Sequence, residues 1–493
     1  MSSPANSVAE ITHTQCERFN PQTALRPTSA LCIPPENLGS TEFKRAYGVK
    51  YAYISGAMYR GIASKELVVA MAKAGFMGFL GTGGQSLLTI EQDIIAIQNT
   101  LTPEHAYGLN LVCNIERPEH ELALVELYLK YQVRCIEAAA FISISPALVL
   151  YRLAGLYRDS HNQVASKNKI IAKLSRPEVA NAFLHPAPEH IVKQLLNSGK
   201  ITAEQAHLSQ FIAMCDDICV ECDSGGHTDR GQPTVLLPAI RTQRDALSQT
   251  LGFTQRVRIG LAGGIGTPTS AAAAFIMGAD FIVTGSINQC TVEAGTSPLV
   301  KEMLQGINVQ DTDYAPAGDM FEMGSKVQVL KKGVFFPARA NKLYQIYQQY
   351  DDLDALPITL QTQLQTKFFK QSFTEIWQEV VDYLTNTNRL DEINKAETDT
   401  KYKMARIFKW YFAKSMQFAF AGTAHERVNF QVHTGPALGA FNQWVKGSDL
   451  EPWQNRYVAD IGLKLMQETA ELLSEKTQLL LAMSECSAIE KAQ

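Results

Sequence analysis

Hydrophobic positions along this chain come as short uninterrupted runs separated by stretches with a helical period, and the alternation begins near residue 46. The runs predict eight strands: Tyr51 to Met58, Phe76 to Thr82, Tyr107 to Cys113, Arg134 to Ala140, Lys169 to Ser175, Asp217 to Cys222, Val257 to Ala262 and Phe281 to Gly285. Continuous rather than alternating apolarity is the mark of strands buried on both faces, as in a parallel sheet. Helical patterns fill the gaps, among them Ser64 to Ala74, Pro118 to Tyr131 and Thr269 to Met277. Eight strand–helix units over roughly 240 residues have the size of a (β/α)8 TIM barrel, an α/β fold whose reactive groups sit where strands end and loops begin. A doubly wound open sheet is the structural alternative and would also bind its ligand at strand C-termini.

The pattern differs at both ends. Residues 1–45 are polar, carry Pro21, Pro27, Pro34 and Pro35, and read as an extended N-terminal arm. Residues 46–330 form the barrel. Residues 331–493 read as a helical subdomain: Leu360, Leu364 and Phe368 lie one turn apart, and Ser372-Phe-Thr-Glu375 has the form of a capping box ahead of Ile376, Val380 and Leu384. Trp377, Trp410, Trp444 and Trp453 all fall in this part. Aromatic residues at helical spacing read first as core; the sharper reading is an apolar roof over the barrel mouth able to receive an acyl chain.

Composition narrows the class. Hydrophobic residues make up 46% and charged ones 19% of 493 residues, and the formal net charge of −4 without a long basic block argues against a nucleic-acid surface. The longest apolar runs, such as Ala271 to Met277, are too short to cross a bilayer, and the N-terminal residues lack the form of a secretion signal. Nine scattered cysteines suggest reduced thiols and a cytoplasmic setting. Cys215, Cys219 and Cys222 have a spacing that could hold an iron–sulfur cluster, but a strand sends residues 219 and 222 to opposite faces, so buried thiols are expected.

Candidate chemistry lies at the strand ends. The first predicted strand ends in Gly56-Ala57-Met58, the third carries Asn110, the fifth carries Lys173, and the sixth leads to Gly225-Gly226-His227. The seventh ends in Gly263-Gly264 and the eighth in Gly285-Ser286. Glycine-rich ends on the last two barrel strands form the fold's usual phosphate site, because free N–H groups converge there on an anion. A planar ring would then lie across the mouth, edged by backbone at residues 56–58, with the Asn110 amide and the Lys173 cation beside it; Lys173 could equally pair with Glu137. A redox-active flavin mononucleotide (FMN) suits these positions together.

The order Ser55-Gly-Ala-Met, Gly-Leu-Asn-Leu, Ser-Gly-Gly-His, Ala-Gly-Gly-Ile and Thr-Gly-Ser resembles the flavin-dependent nitronate monooxygenases and flavin-type enoyl-acyl carrier protein reductases. The stretches "AKLSRPEVA" (172–180), "EAGTS" (293–297), "GDMFEMGSKVQVLKKG" (318–333), "FFPARANKLY" (335–344) and "GPALGAFNQW" (435–444) resemble the PfaD-type trans-acting enoyl reductases of polyketide and polyunsaturated fatty acid synthases. That resemblance implies an FMN-binding barrel with a helical subdomain, reduction of an enoyl thioester on an acyl carrier protein, NADPH as reductant, and a homodimer. It implies His227 as the proton donor, or as the group orienting a water that serves, with the phosphate on Gly263, Gly264, Gly285 and Ser286. Asp223 stands available as an acid partner of His227, and Lys326 and Asp319 are the rival acids. Lys331, Lys332, Arg339, Lys342, Lys409 and Lys414 are candidates for guiding an acidic carrier protein. Nitronate monooxygenation, with the histidine as base, and a non-catalytic barrel docked on a megasynthase are the alternatives.

Overall fold

The computed structural model of the chain describes residues 32–253 and 255–490. Its strands are β1 (Tyr53–Ser55), β2 (Met77–Leu80), β3 (Tyr107–Val112), β4 (Cys135–Ala139), β5 (Leu156–Arg158), β6 (Val164–Ser166) and β7 (Lys169–Leu174). They continue with β8 (Asp217–Glu221), β9 (Gly226–His227), β10 (Arg258–Ala262), β11 (Ile282–Thr284), β12 (Thr312–Pro316) and β13 (Lys326–Leu330). Eight of them close a barrel in the order β1-β2-β3-β4-β7-β8-β10-β11, every neighbouring pair parallel. These are the eight runs expected from the sequence, each trimmed at one or both ends. β5 and β6 form a separate hairpin.

The barrel interior is filled rather than hollow. Phe79 and Phe281 occupy it, and the facing strands supply glycines: a methyl group at Gly108 would lie 2.2 Å from the Phe79 ring, and one at Gly260 would lie 2.4 Å from Phe281. Ile54, Met77, Ile171, Cys219 and Val283 complete this layer. Cys215 and Cys222 belong instead to the cluster between sheet and helices, so the cysteine triplet is split across two faces as three buried free thiols.

Most of the expected arm, residues 1–31, lies outside the described residues. Its remainder is not extended: Ser40 caps a helix, Thr41–Tyr47, by accepting the Phe43 N–H at 3.2 Å, and Gly48 ends it at φ 67°. That helix stoppers the barrel floor. Phe43 is fully buried and stacks on Phe281 at 4.4 Å, while the Tyr47 hydroxyl donates to Asp217, itself held by Arg258 at 2.6 Å. The prolines pointed to an extended arm; a cap residue followed by one large apolar side chain decided otherwise.

Packing also divides the C-terminal part differently from the sequence. A second core runs from Ala315 to Phe412, gathered by the helices Phe336–Gln349, Phe373–Asn386 and Thr400–Ala421. The expected capping box is present at Ser372 and Glu375, and Ile376, Val380 and Leu384 are buried behind it. From Phe430 onward the chain returns to the barrel core. The helix Val458–Glu490 packs on Pro268–Ile276 and Lys65–Lys73, the helices that follow β10 and β1, and so completes the outer ring. Trp377 and Trp410 therefore join the second core, and Trp444 and Trp453 the first.

Candidate active site

Beyond the barrel's C-terminal end lies a small antiparallel sheet, β12-β13-β9. The Gly-Gly-His stretch is not a free loop. Gly226 and His227 form its edge strand, with Gly226 opposite Gln328 and His227 opposite Val327. Gly226 adopts φ 90°, a conformation costly for any residue with a Cβ, so glycine is needed where the chain turns from β8 into this strand.

The turn presents the His227 imidazole to solvent on about half of its surface, with Nε2 at 2.9 Å from Asp319 Oδ1. Burial works against the imidazolium, yet the hydrogen bond and charge of Asp319 outweigh it and raise the histidine above its ordinary range. Asp319 is held lower than usual: its burial opposes the charge, and the imidazole partner prevails. An Nε2–H donated to the carboxylate leaves Nδ1 as the nitrogen free to carry and release a second proton. Asp223, which the sequence left available as a partner, is engaged elsewhere: it accepts from Thr228 Oγ1 at 2.7 Å and from the Tyr314 hydroxyl. The acid partner lies 92 positions away, on a loop anchored when Phe321 enters the second core against Phe412 at 5.5 Å. Lys326, the other rival acid, instead sits over the Tyr344 ring at 5.1 Å.

Sequence reasoning missed His433. It bridges to Val329 of β13, and its Nε2 lies 2.9 Å from Gln431 Nε2. Burial, and then the nearby His227 imidazole, push it down to about 4, so it stands as a neutral imidazole near neutral pH. The only signal was its place directly before Thr434-Gly435, in a segment whose position over the mouth is a tertiary fact.

The glycine ends of β10 and β11 fit an anionic group. A methyl group at Gly264 or Gly285 would meet nothing within 4 Å, so both backbones border open space, and their N–H groups donate to no acceptor among the described residues. Gly263 has the opposite reason to be glycine: at φ 93° its added methyl would press on the Cys222 carbonyl at 2.7 Å. Gly225 is also crowded, by Thr434 at 2.7 Å and Ser286 Oγ at 2.8 Å, and Ser286 Oγ accepts the Gly435 N–H at 3.1 Å. The Thr434 hydroxyl and the Gln328 side-chain oxygen are buried here without a partner among the described residues.

The positions expected beside a planar ring are more constrained. Ala57 N–H already donates to Glu137 Oε2 at 3.3 Å, a methyl at Gly56 would lie 2.9 Å from Val283, and the Met58 carbonyl packs against Gly81. Asn110 is buried; its oxygen is held by the Thr82 hydroxyl at 3.3 Å and its amide nitrogen has no partner among the described residues. Lys173 lies 3.2 Å from Glu137 and 3.4 Å from Glu221, on the two flanking strands, the first contact being ionic without hydrogen-bond geometry. Burial opposes its charge, but these carboxylates hold it well above the ordinary lysine range. Its cation is thus committed to the pairing that was the alternative reading.

Of the proposed carrier-guiding cations, Lys409 pairs with Glu322 at 2.7 Å, Lys414 with Glu379 at 2.9 Å, and Arg339 donates to Asn429 between Phe335 and Phe368. Lys332 is bound to the Gly306 carbonyl at 2.7 Å. Lys332 also lies 3.6 Å from Asp311, whereas Lys331, Arg339 and Lys342 make no ion pair among the described residues.

A closed parallel barrel with bare glycine ends and a histidine–carboxylate pair at its mouth defines a class, and the profile of the nitronate monooxygenase family matches residues 41–322. The chain belongs to that family. A second profile, the inserted helical domain of [acyl-carrier-protein] S-malonyltransferase, matches residues 350–430, within the second core and the turn that leaves it. Among solved structures the chain is similar to the enoyl reductase domain of MlnA from the macrolactin biosynthesis cluster of Bacillus amyloliquefaciens. They share 48% identity and a TM-score of 0.87 over 90% of this chain and 100% of that one. It is also 55% identical over 446 residues to the polyketide biosynthesis protein PksE of Bacillus subtilis and 51% identical over 441 residues to ThaF of Burkholderia thailandensis, each across 90% of this chain. The matches span 58% and 38% of those two longer proteins. No helix among the described residues is long and apolar enough to cross a membrane.

Proposed function

We propose that this protein is an enoyl reductase that uses FMN and NADPH to saturate the α,β-double bond of an enoyl thioester on an acyl carrier protein, during polyketide or polyunsaturated fatty acid assembly. The observation that carries this reading is the His227–Asp319 pair beside the bare ends of β10 and β11. The 48% identity with an enoyl reductase domain supports it.

Gly264, Gly285 and Ser286 would hold the cofactor's phosphate through N–H and O–H donors, and Asn110 would offer its amide nitrogen to the ring or ribityl chain. When bound, the flavin supplies the hydride that reaches the substrate β-carbon, and NADPH restores it. The chain's own part is the proton. Negative charge that builds toward the thioester oxygen is quenched at the α-carbon by the proton on His227 Nδ1, while Asp319 accepts from Nε2–H and fixes the ring. One hydride and one proton are thereby added across the bond, and the imidazole is left neutral until solvent reprotonates it.

Nitronate monooxygenation is the second reading, favoured by the family profile. It needs a neutral imidazole acting as base, and Asp319 biases His227 toward the protonated form, which favours the acid role. The deciding experiment is a visible spectrum of the purified protein followed by anaerobic NADPH addition with and without a crotonyl thioester. Flavin absorbance bleached by NADPH and restored by the thioester supports the reductase. Oxygen uptake with a nitronate and no response to the thioester supports the second reading, and a colourless protein that takes up no FMN supports a docking scaffold.

A further inference from the structure

Thr434 to Ala437 lies beyond the second core in sequence, yet it closes over both glycine ends of the barrel. Gly435 N–H donates to Ser286 Oγ at 3.1 Å on the β11 side. On the β10 side, a methyl group at Gly266 would fall 2.1 Å from the Ala437 carbonyl oxygen, so strap and loop are in direct contact. Thr434 N–H reaches the Gln328 carbonyl at 3.3 Å, and the His433–Val329 bridge ties the strap to β13.

We propose that this strap is the outer wall of the anion cradle and that the Thr434 hydroxyl is a direct ligand of the FMN phosphate. The inference rests on the flavin reading above. Thr434 is completely buried and its hydroxyl has no partner among the described residues. A buried hydroxyl without a partner is costly and points to a ligand that completes it. Its neighbours are donors of the same kind: Ser286 Oγ accepts from Gly435 and so retains its own O–H, and the N–H groups of Gly264 and Gly285 are unused. A phosphate ester has acceptor oxygens alone and matches this set, whereas a carbonyl-bearing ring needs one or two donors. The cradle is therefore finished by a segment that reaches it only after the chain has traversed the helical core, so loss of that core's docking releases the phosphate end of the cofactor.

The test titrates the flavin-stripped, full-length protein with FMN, with riboflavin, and with riboflavin plus inorganic phosphate, following flavin fluorescence. Thr434→Val is expected to weaken FMN about 10- to 150-fold, the worth of one hydrogen bond to a charged group, and to leave riboflavin unchanged. Because no protein group is stranded, the melting temperature of flavin-free T434V should not fall, and T434S should restore FMN affinity. Inorganic phosphate that competes with FMN in wild type but not in T434V adds support. Equal FMN affinity in T434V and wild type, or equal weakening of both flavins, overturns the strap's role alone. Wild-type protein that binds neither flavin overturns the flavin reading and the strap together.

Discussion

Gly285→Ala separates the cradle from the fold more cleanly than any change at a charged residue. Gly285 sits at φ −132°, outside the left-handed region, and an added methyl would meet nothing within 4 Å. Alanine there meets no protein atom within 4 Å among the described residues, so the variant's stability should stay close to that of wild type. On the proposed function, the same methyl projects into the space where the cofactor's phosphate would approach to within hydrogen-bond distance of the backbone. Losing one charge-assisted bond is worth about 1.5–3 kcal/mol, or about 10- to 150-fold in affinity. Gly266→Ala is the contrasting control, since its methyl meets the Ala437 carbonyl at 2.1 Å and must displace the strap. The assay is urea unfolding of the flavin-free proteins together with FMN titration by fluorescence. G285A should unfold like wild type and bind FMN poorly; G266A should lose both. A G285A protein that binds FMN as tightly as wild type would refute the placement of the phosphate at β11.

Three further outcomes follow from the packing and charge. Asp319→Asn should lower the titration midpoint of His227, read by NMR of the imidazole; an unchanged midpoint refutes the pairing. The sign for stability is set by the raised histidine: the pair's contribution is complete below the unfolded histidine's pKa and is lost as pH rises through the native one, so D319N should flatten that decline. Phe43→Ala should cost about 3–5 kcal/mol in chemical unfolding if the Thr41–Tyr47 helix is an integral floor of the barrel. Lys173→Met strands Glu137 and Glu221 and should cost about 3–5 kcal/mol, part of which E137Q in the same background should recover.

The eight strands, the capping box at Ser372 and the glycine-bearing ends of β10 and β11 were legible in the chain because each depends on neighbours a few residues apart. A strand buried on both faces must be apolar throughout, and a helix start must supply local acceptors for its free N–H groups. The same locality explains the errors. Asp223, four residues from His227, was the partner at hand in the sequence, but its carboxylate is taken by Thr228 and Tyr314. The helix at Thr41 was hidden by the prolines that precede its single cap residue. The stretch after residue 330 read as one helical unit because periodicity shows that a segment is amphipathic without showing which core its apolar face joins.

What the sequence alone determined is therefore the barrel's strands and the positions where its backbone is bare, since propensity, burial period and glycine placement are properties of short windows. Tertiary structure decided that Asp319 holds His227, that Glu137 and Glu221 claim Lys173, and that residues 434–437 close over β10 and β11. Charge pairing and steric contact act through space at a few ångströms, and only the folded chain brings residues separated by tens to hundreds of positions within that range.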